Sequence, residues 1–134
     1  MLSRVVETFL AAPFDRLRVV VSSKDAPDLP QDPRVEIVEN EKRREGMASS
    51  IRRGLTDMSA DTEMVAIALG DLPFVRVETL QRLVDTMKSK KAGIVYPVYK
   101  GRAGHPVLWH ARFFGELAAL RGDRGAKEVL ERHR

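Results

Sequence analysis

The chain has no cysteine among its 134 residues, which excludes a disulfide framework, a thiolate zinc site and a cysteine nucleophile. Amide side chains are scarce too, with one Asn and two Gln, so chemistry falls to Asp, Glu, His, Ser, Lys or Arg. No apolar run approaches the roughly eighteen residues of a membrane helix. Glu7, Asp15 and three arginines stand among the first twenty residues, where a secretory signal would be apolar. A cytoplasmic protein with no membrane contact is expected. The net charge of +4 is modest, and outside Lys42-Arg43-Arg44, Arg52-Arg53 and the segment 88–91 the basic residues alternate with acidic ones. Nucleic-acid binding uses a denser basic stripe with aromatics beside it. These clusters therefore read as solvated faces, and no nucleic-acid partner is expected.

What is present fits a single domain spanning residues 1–134. Leu2, Val5, Val6, Phe9 and Leu10 recur at helical spacing up to Pro13. A strand is expected at 18–21, then a loop marked by Pro27, Pro30 and Pro33, then a second strand at 35–38. Met47, Ile51, Leu55 and Met58 trace a helix, residues 64–69 an apolar strand, and Val77, Leu80, Leu83, Val84 and Met87 another helix. Strands at 93–98 and 106–109 and two closing helices, 113–120 and 126–133, complete the pattern. Helices alternating with continuous apolar strands indicate an α/β fold, a three-layer sandwich around a mainly parallel sheet.

Four segments could carry chemistry. Gly70-Asp71-Leu72-Pro73 ends the apolar strand, and a carboxylate at that position can hold Mg²⁺ against a triphosphate. Asp71 can equally cap the following helix. Gly46-Met47-Ala48-Ser49-Ser50 opens a helix, where free N–H groups favour an anion and glycine lets a ligand approach, although first-turn serines commonly serve the helix itself. Gly101-Arg102-Ala103-Gly104-His105-Pro106 forms a polar turn between strands. Arg102 could clamp a phosphate or carboxylate, and His105 could bind metal, orient a substrate, shuttle a proton or make a structural hydrogen bond. Asp123 precedes the last helix and could cap it or supply a second metal-binding carboxylate.

Taken in order, Glu45 to Ser50, Gly70 to Pro73, Pro97 to Leu108 and Gly122 to Ala126 resemble the molybdenum cofactor cytidylyltransferases and guanylyltransferases. The likeness spans nearly the whole chain and implies a Rossmann-like fold of the nucleotide-diphospho-sugar transferase type. It also implies transfer of CMP or GMP from CTP or GTP to the terminal phosphate of a molybdopterin-type acceptor, with Mg²⁺ as helper ion. On this resemblance Asp71 is the metal-binding carboxylate, Gly46, Met47 and Ser50 lie near base and ribose with Gly70 beside them, and Arg102, Gly104, His105 and Asp123 face the acceptor. The family opens with a strand running into a glycine-rich phosphate loop. Here Leu10-Ala11-Ala12 is followed by Pro13-Phe14, so the chain is expected to be N-terminally truncated relative to the family. Loss of that loop would weaken triphosphate binding. A non-catalytic binding or regulatory relative is the alternative, and a homodimer is expected to cover the strand edges left open.

Overall fold

The computed structural model describes residues 2–21, 29–40, 46–68, 75–122 and 126–133. Val5, Val6 and Phe9 fall on one side of helix α1 (Leu2–Leu10) and are buried there, as their spacing requires. Strands β1 (Leu17–Val21) and β2 (Val35–Glu39) pair in parallel, with Val19 opposite Ile37. Helix α2 (Met47–Leu55) follows, then β3 (Met64–Ile67) and the long helix α3 (Val77–Lys90). The expected strand at 93–98 is divided: β4 (Ile94–Val95) stops before Pro97, and β5 (Val98–Tyr99) pairs with β6 (Arg102–Ala103) in a separate hairpin. Lys100 and Gly101 both have positive φ, the backbone that a two-residue hairpin turn demands. Strand β7 (Val107–His110), a 3₁₀ turn (Ala111–Phe113), α4 (Phe114–Ala118) and α5 (Lys127–Arg132) end the described chain.

The described sheets are mixed, which corrects the expectation of a mainly parallel sheet. β7 lies between β3 and β4 and runs antiparallel to both. β3 and β4 are therefore parallel to each other, as a strand–helix–strand unit requires, with β7 inserted between them. Continuous apolar strands signal burial on both faces and carry no information about direction, which is why the sequence pattern misled. The reversal enters with the β5–β6 hairpin.

β7 is covered on both sides. Val107 and Trp109 pack with Ala48, Phe113, Leu117 and Val129 from the α2, α4 and α5 side, while Leu108 packs with Leu83, Val84 and Met87 of α3. Leu80, Leu108 and Leu117 are fully buried, each contributing roughly 1.5–3 kcal/mol. Leu17 of β1 and Ala66 of β3 rest on one cluster with Val5, Phe9 and Leu80. Yet among the described residues β1 pairs only with β2, and β3 only with β7, so each keeps one edge without a strand partner. Among the described residues no helix is long and apolar enough to cross a membrane.

Candidate functional site

The polar centre of the fold lies where the carboxyl end of the β1–β2 pair meets the start of α2, a position where open α/β sheets bind ligands. The Asn40 N–H donates to the Val21 carbonyl at 2.8 Å, which carries the parallel register one residue past β2. Its side chain is 4% exposed, and Nδ2 donates to Ser49 Oγ at 2.9 Å and Ser50 Oγ at 3.0 Å. Ser49 Oγ in turn donates to the Gly46 carbonyl at 2.7 Å. Neither serine caps α2, since Gly46 at its N-cap has no side-chain capping bond. Gly46 holds φ 100° and ψ −176°, a region essentially restricted to glycine. Met47 is 46% exposed, whereas Ala48 next to it is fully buried.

The same helix start is tied to a distant segment. The Ala48 N–H donates to the Gly122 carbonyl at 3.0 Å, and the Arg52 guanidinium donates to the Leu120 carbonyl. Arg53 Nε donates to the Glu39 carbonyl at 3.0 Å. Arg52 and Arg53 thus serve as tethers, correcting their assignment to a solvated face. A cavity bounded by Glu116, Leu120, Arg121, Glu128 and Arg132 opens beside this segment, between α4 and α5.

The sequence-predicted residues divide into three groups. Gly46, Met47 and Ser50 come together at the α2 start, with Gly122 beside them. Arg102 and His105 are exposed on the hairpin and its exit, and neither side chain has a hydrogen-bond or ion-pair partner among the described residues. Gly104 anchors that exit by donating its N–H to the Pro97 carbonyl at 2.7 Å. The structural hydrogen bond considered for His105 is not made among the described residues, where the hydrogen-bonded histidines are His110, whose Nδ1 accepts from the Arg112 N–H, and His133, 2.8 Å from the Glu116 carboxylate. No hydrogen bond joins the hairpin to the α2 start among the described residues. Gly70, Asp71 and Asp123 lie outside the described residues.

Among the described residues no three His, Asp or Glu side chains converge, so the described part builds no protein-only metal cage. A Mg²⁺ ion carried on a triphosphate needs only one or two carboxylates. Among the described residues the one strongly shifted carboxyl, Asp32, is held down to about 2 by hydrogen bonds from the Arg34 side chain and then its backbone N–H. That pair sits just before β2, at the far end of the strand from Asn40, and so clamps the loop rather than lining the site. Sequence reasoning missed Asn40; its signal was the chain's lone Asn placed directly after an alternating strand and shortly before Gly46.

Comparison with known proteins adds the family. The model of the MobA-like NTP transferase domain matches residues 1–134. No curated protein matches. Among solved structures, Rv0371c from Mycobacterium tuberculosis H37Rv superposes with a TM-score of 0.82 at 26% identity, over 97% of this chain and 67% of that one. Rv0371C in complex with manganese, from the same organism, gives 0.77 at 28% identity, over 99% and 71%. A homologue from Mycobacterium sp. strain JC1 gives 0.81 at 23% identity, over 99% and 67%, a likeness of fold. On the match along its full length, this chain belongs to the MobA-like NTP transferase domain family.

Proposed function

We propose that this protein is a cytoplasmic nucleotidyltransferase of molybdenum cofactor biosynthesis, built on the three-layer Rossmann-like sandwich, that transfers CMP or GMP from CTP or GTP to a molybdopterin-type phosphate. The observation that carries the reading is the α2 start, where Gly46, Met47 and Ser50 meet at the carboxyl end of parallel strands within a chain that matches an NTP transferase family. The helix dipole there favours the negative charge of a nucleotide. The exposed Met47 offers an apolar surface to a base.

In this reaction an oxygen of the acceptor phosphate attacks the α-phosphorus in line, the new P–O bond forms as the α–β bridging bond breaks, and pyrophosphate leaves with the electron pair. Catalysis is positioning and charge neutralisation, without a covalent enzyme intermediate. Asp71 is the proposed metal-binding carboxylate. A divalent cation supplies charge neutralisation on the triphosphate, and the manganese complex of Rv0371C supports its use here. Arg102, with no partner of its own among the described residues, is free to pair with an acceptor phosphate; Gly104 fixes the arm that carries it, and His105 and Asp123 are assigned to the acceptor side.

Titration calorimetry of this chain with CTP, with and without Mg²⁺ and with GTP as comparator, tests the reading. Metal-dependent binding that Asp71→Ala abolishes in a folded protein supports it. Binding without turnover favours the non-catalytic alternative, and no heat with any nucleotide overturns the nucleotide site. The edges of β1 and β3 that have no strand partner among the described residues support a homodimer. A monomer at high concentration in light scattering would remove that part.

A further inference from the structure

The β5–β6 hairpin is exposed on both faces. Tyr99 and Val98 are 74% and 64% accessible, the two most exposed large apolar side chains among the described residues. Tyr99 belongs to none of the apolar clusters, and the Lys100 ammonium stands 5.5 Å from its ring centroid. Across the hairpin Tyr99 is paired with Arg102. Residues directly opposite on an antiparallel pair carry their side chains on one face, with Cβ atoms about 5 Å apart. That face therefore offers an open aromatic ring beside a guanidinium with no partner among the described residues, while Val98 and Ala103 take the other face. Neither side chain serves a described core or ion pair, so the fold does not account for them. The hairpin's position is set by its neighbours. Ile67, the last residue of β3, lies opposite Val107, the first of β7, so the segment leading into Val107 stands at the carboxyl end of β3. The hairpin leaves the carboxyl end of β4, which is parallel to β3, and its base is closed by the Gly104–Pro97 hydrogen bond. This is the end of an α/β sheet where ligands bind.

We propose that Tyr99 selects the acceptor, stacking on a planar heteroaromatic ring while Arg102 beside it holds the phosphate that the same molecule carries. This rests on the reading of the chain as a nucleotidyltransferase with a phosphate acceptor, and it separates an aromatic acceptor from a sugar phosphate. Charge complementarity supplies the phosphate half, with Lys100 adding a second positive charge at the turn. The ring half follows from Tyr99, since a flat π-face gains most from another flat ring. Arg102 alone would bind any phosphate; the aromatic neighbour in register with it makes the pair selective.

The test is fluorescence titration with hydroxymethylpterin phosphate, whose ring emission is quenched on stacking. The nucleotide site is filled with Mg²⁺ and α,β-methylene-CTP, which cannot release pyrophosphate. Glucose phosphate, followed by calorimetry, is the phosphate without an aromatic ring, and unphosphorylated hydroxymethylpterin is the ring without a phosphate. Tyr99→Ala is expected to weaken pterin phosphate binding about fivefold to a hundredfold, the range for loss of one ring stack, and to leave any binding of glucose phosphate unchanged. Tyr99→Phe should restore it. Arg102→Ala should weaken pterin phosphate but not the unphosphorylated pterin. Tyr99 is exposed, so its replacement leaves the fold intact. Unchanged pterin phosphate affinity in Tyr99→Ala overturns the inference, and so does equal weakening of glucose phosphate, which would make Tyr99 a residue that only shapes the hairpin. A wild-type chain that binds the nucleotide but no pterin phosphate also overturns it and leaves the nucleotide reading standing. A single-stranded oligonucleotide that displaces the pterin through Tyr99 would overturn it by assigning this face to nucleic acid. A folded chain that binds neither nucleotide nor pterin phosphate overturns both readings.

Discussion

The backbone N–H of Ala48 donates to the carbonyl of Gly122 at 3.0 Å, joining the first turn of α2 to a loop far along the chain. A helix start leaves several N–H groups unpaired, and here one is satisfied by tertiary structure instead of a capping side chain. Arg52 reinforces the join from the same helix by reaching the Leu120 carbonyl. The consequence is a fixed relation between the Gly46–Ser50 turn and the segment ending at Gly122. Local sequence places each of these turns, and only packing around buried Ala48 and Leu120 brings them together.

Gly46→Ala should destabilise the fold by about 1–3 kcal/mol, since φ 100° with ψ −176° is a region that a Cβ opposes. The urea midpoint should fall while the slope holds. The turn also delivers the carbonyl that orients Ser49, so nucleotide affinity should fall with it. An unchanged midpoint would mean that Gly46 does not need this conformation.

Arg18→Ala should cost about 1.5–3 kcal/mol, because the guanidinium serves the carbonyls that end α2. Nη1 donates to Gly54 O at 2.9 Å and also to Thr56 O, and Nη2 donates to Asp57 O at 3.3 Å. Its bond to Glu36 at 3.3 Å is a half-exposed ion pair and contributes far less. Glu36→Ala should therefore be nearly silent in the same unfolding assay. Equal losses from the two variants would contradict the capping role.

How much of this was legible depends on what each residue's neighbours are. Val5, Val6 and Phe9 in α1, and Leu80, Leu83, Val84 and Met87 in α3, are buried as their spacing predicts, because a helix face is local information. The direction of β7 was not legible, since Val107, Leu108 and Trp109 are buried whichever way the strand runs. The apolar run around Pro97 read as one strand, yet with no N–H to donate, Pro97 separates β4 from β5. Gly46, Met47 and Ser50 were legible as a helix start, and the structure adds Asn40 to them through contacts that no fixed spacing encodes. Arg102 and His105 stood out by residue type, and the structure leaves both exposed.

Gly93→Ala tests a close approach at a residue that sequence presents only as the start of a strand. A Cβ at Gly93 would lie 2.6 Å from Phe113 Cε2 and would collide with the Arg112 guanidinium, which stacks 5.2 Å from the Phe113 ring centroid. Arg112 can swing into solvent, but Phe113 is buried against Trp109 and cannot. Overpacking of this kind costs about 1–3 kcal/mol. The unfolding midpoint should drop, and adding Arg112→Ala should not restore it. Full restoration would assign the clash to Arg112 alone.

The Asp32–Arg34 clamp gives the fold a predictable acid dependence. Asp32 accepts from Arg34 Nε at 3.0 Å, from Nη2 at 2.9 Å and from the Arg34 N–H at 2.9 Å, while Arg34 Nη1 reaches the Leu10 carbonyl at 3.1 Å and so ties the loop to the end of α1. The Arg34 side-chain bond, then the backbone bond, lower its pKa from 3.8 to about 2. A carboxyl depressed in the folded state stabilises the fold fully above its unfolded pKa, and that contribution is lost as pH falls through the folded value. Asp32→Asn should therefore be less stable than wild type at neutral pH, and the two urea midpoints should converge between about pH 4 and pH 2. A gap that stays constant down to about pH 2 would show that the ionised clamp is not its source.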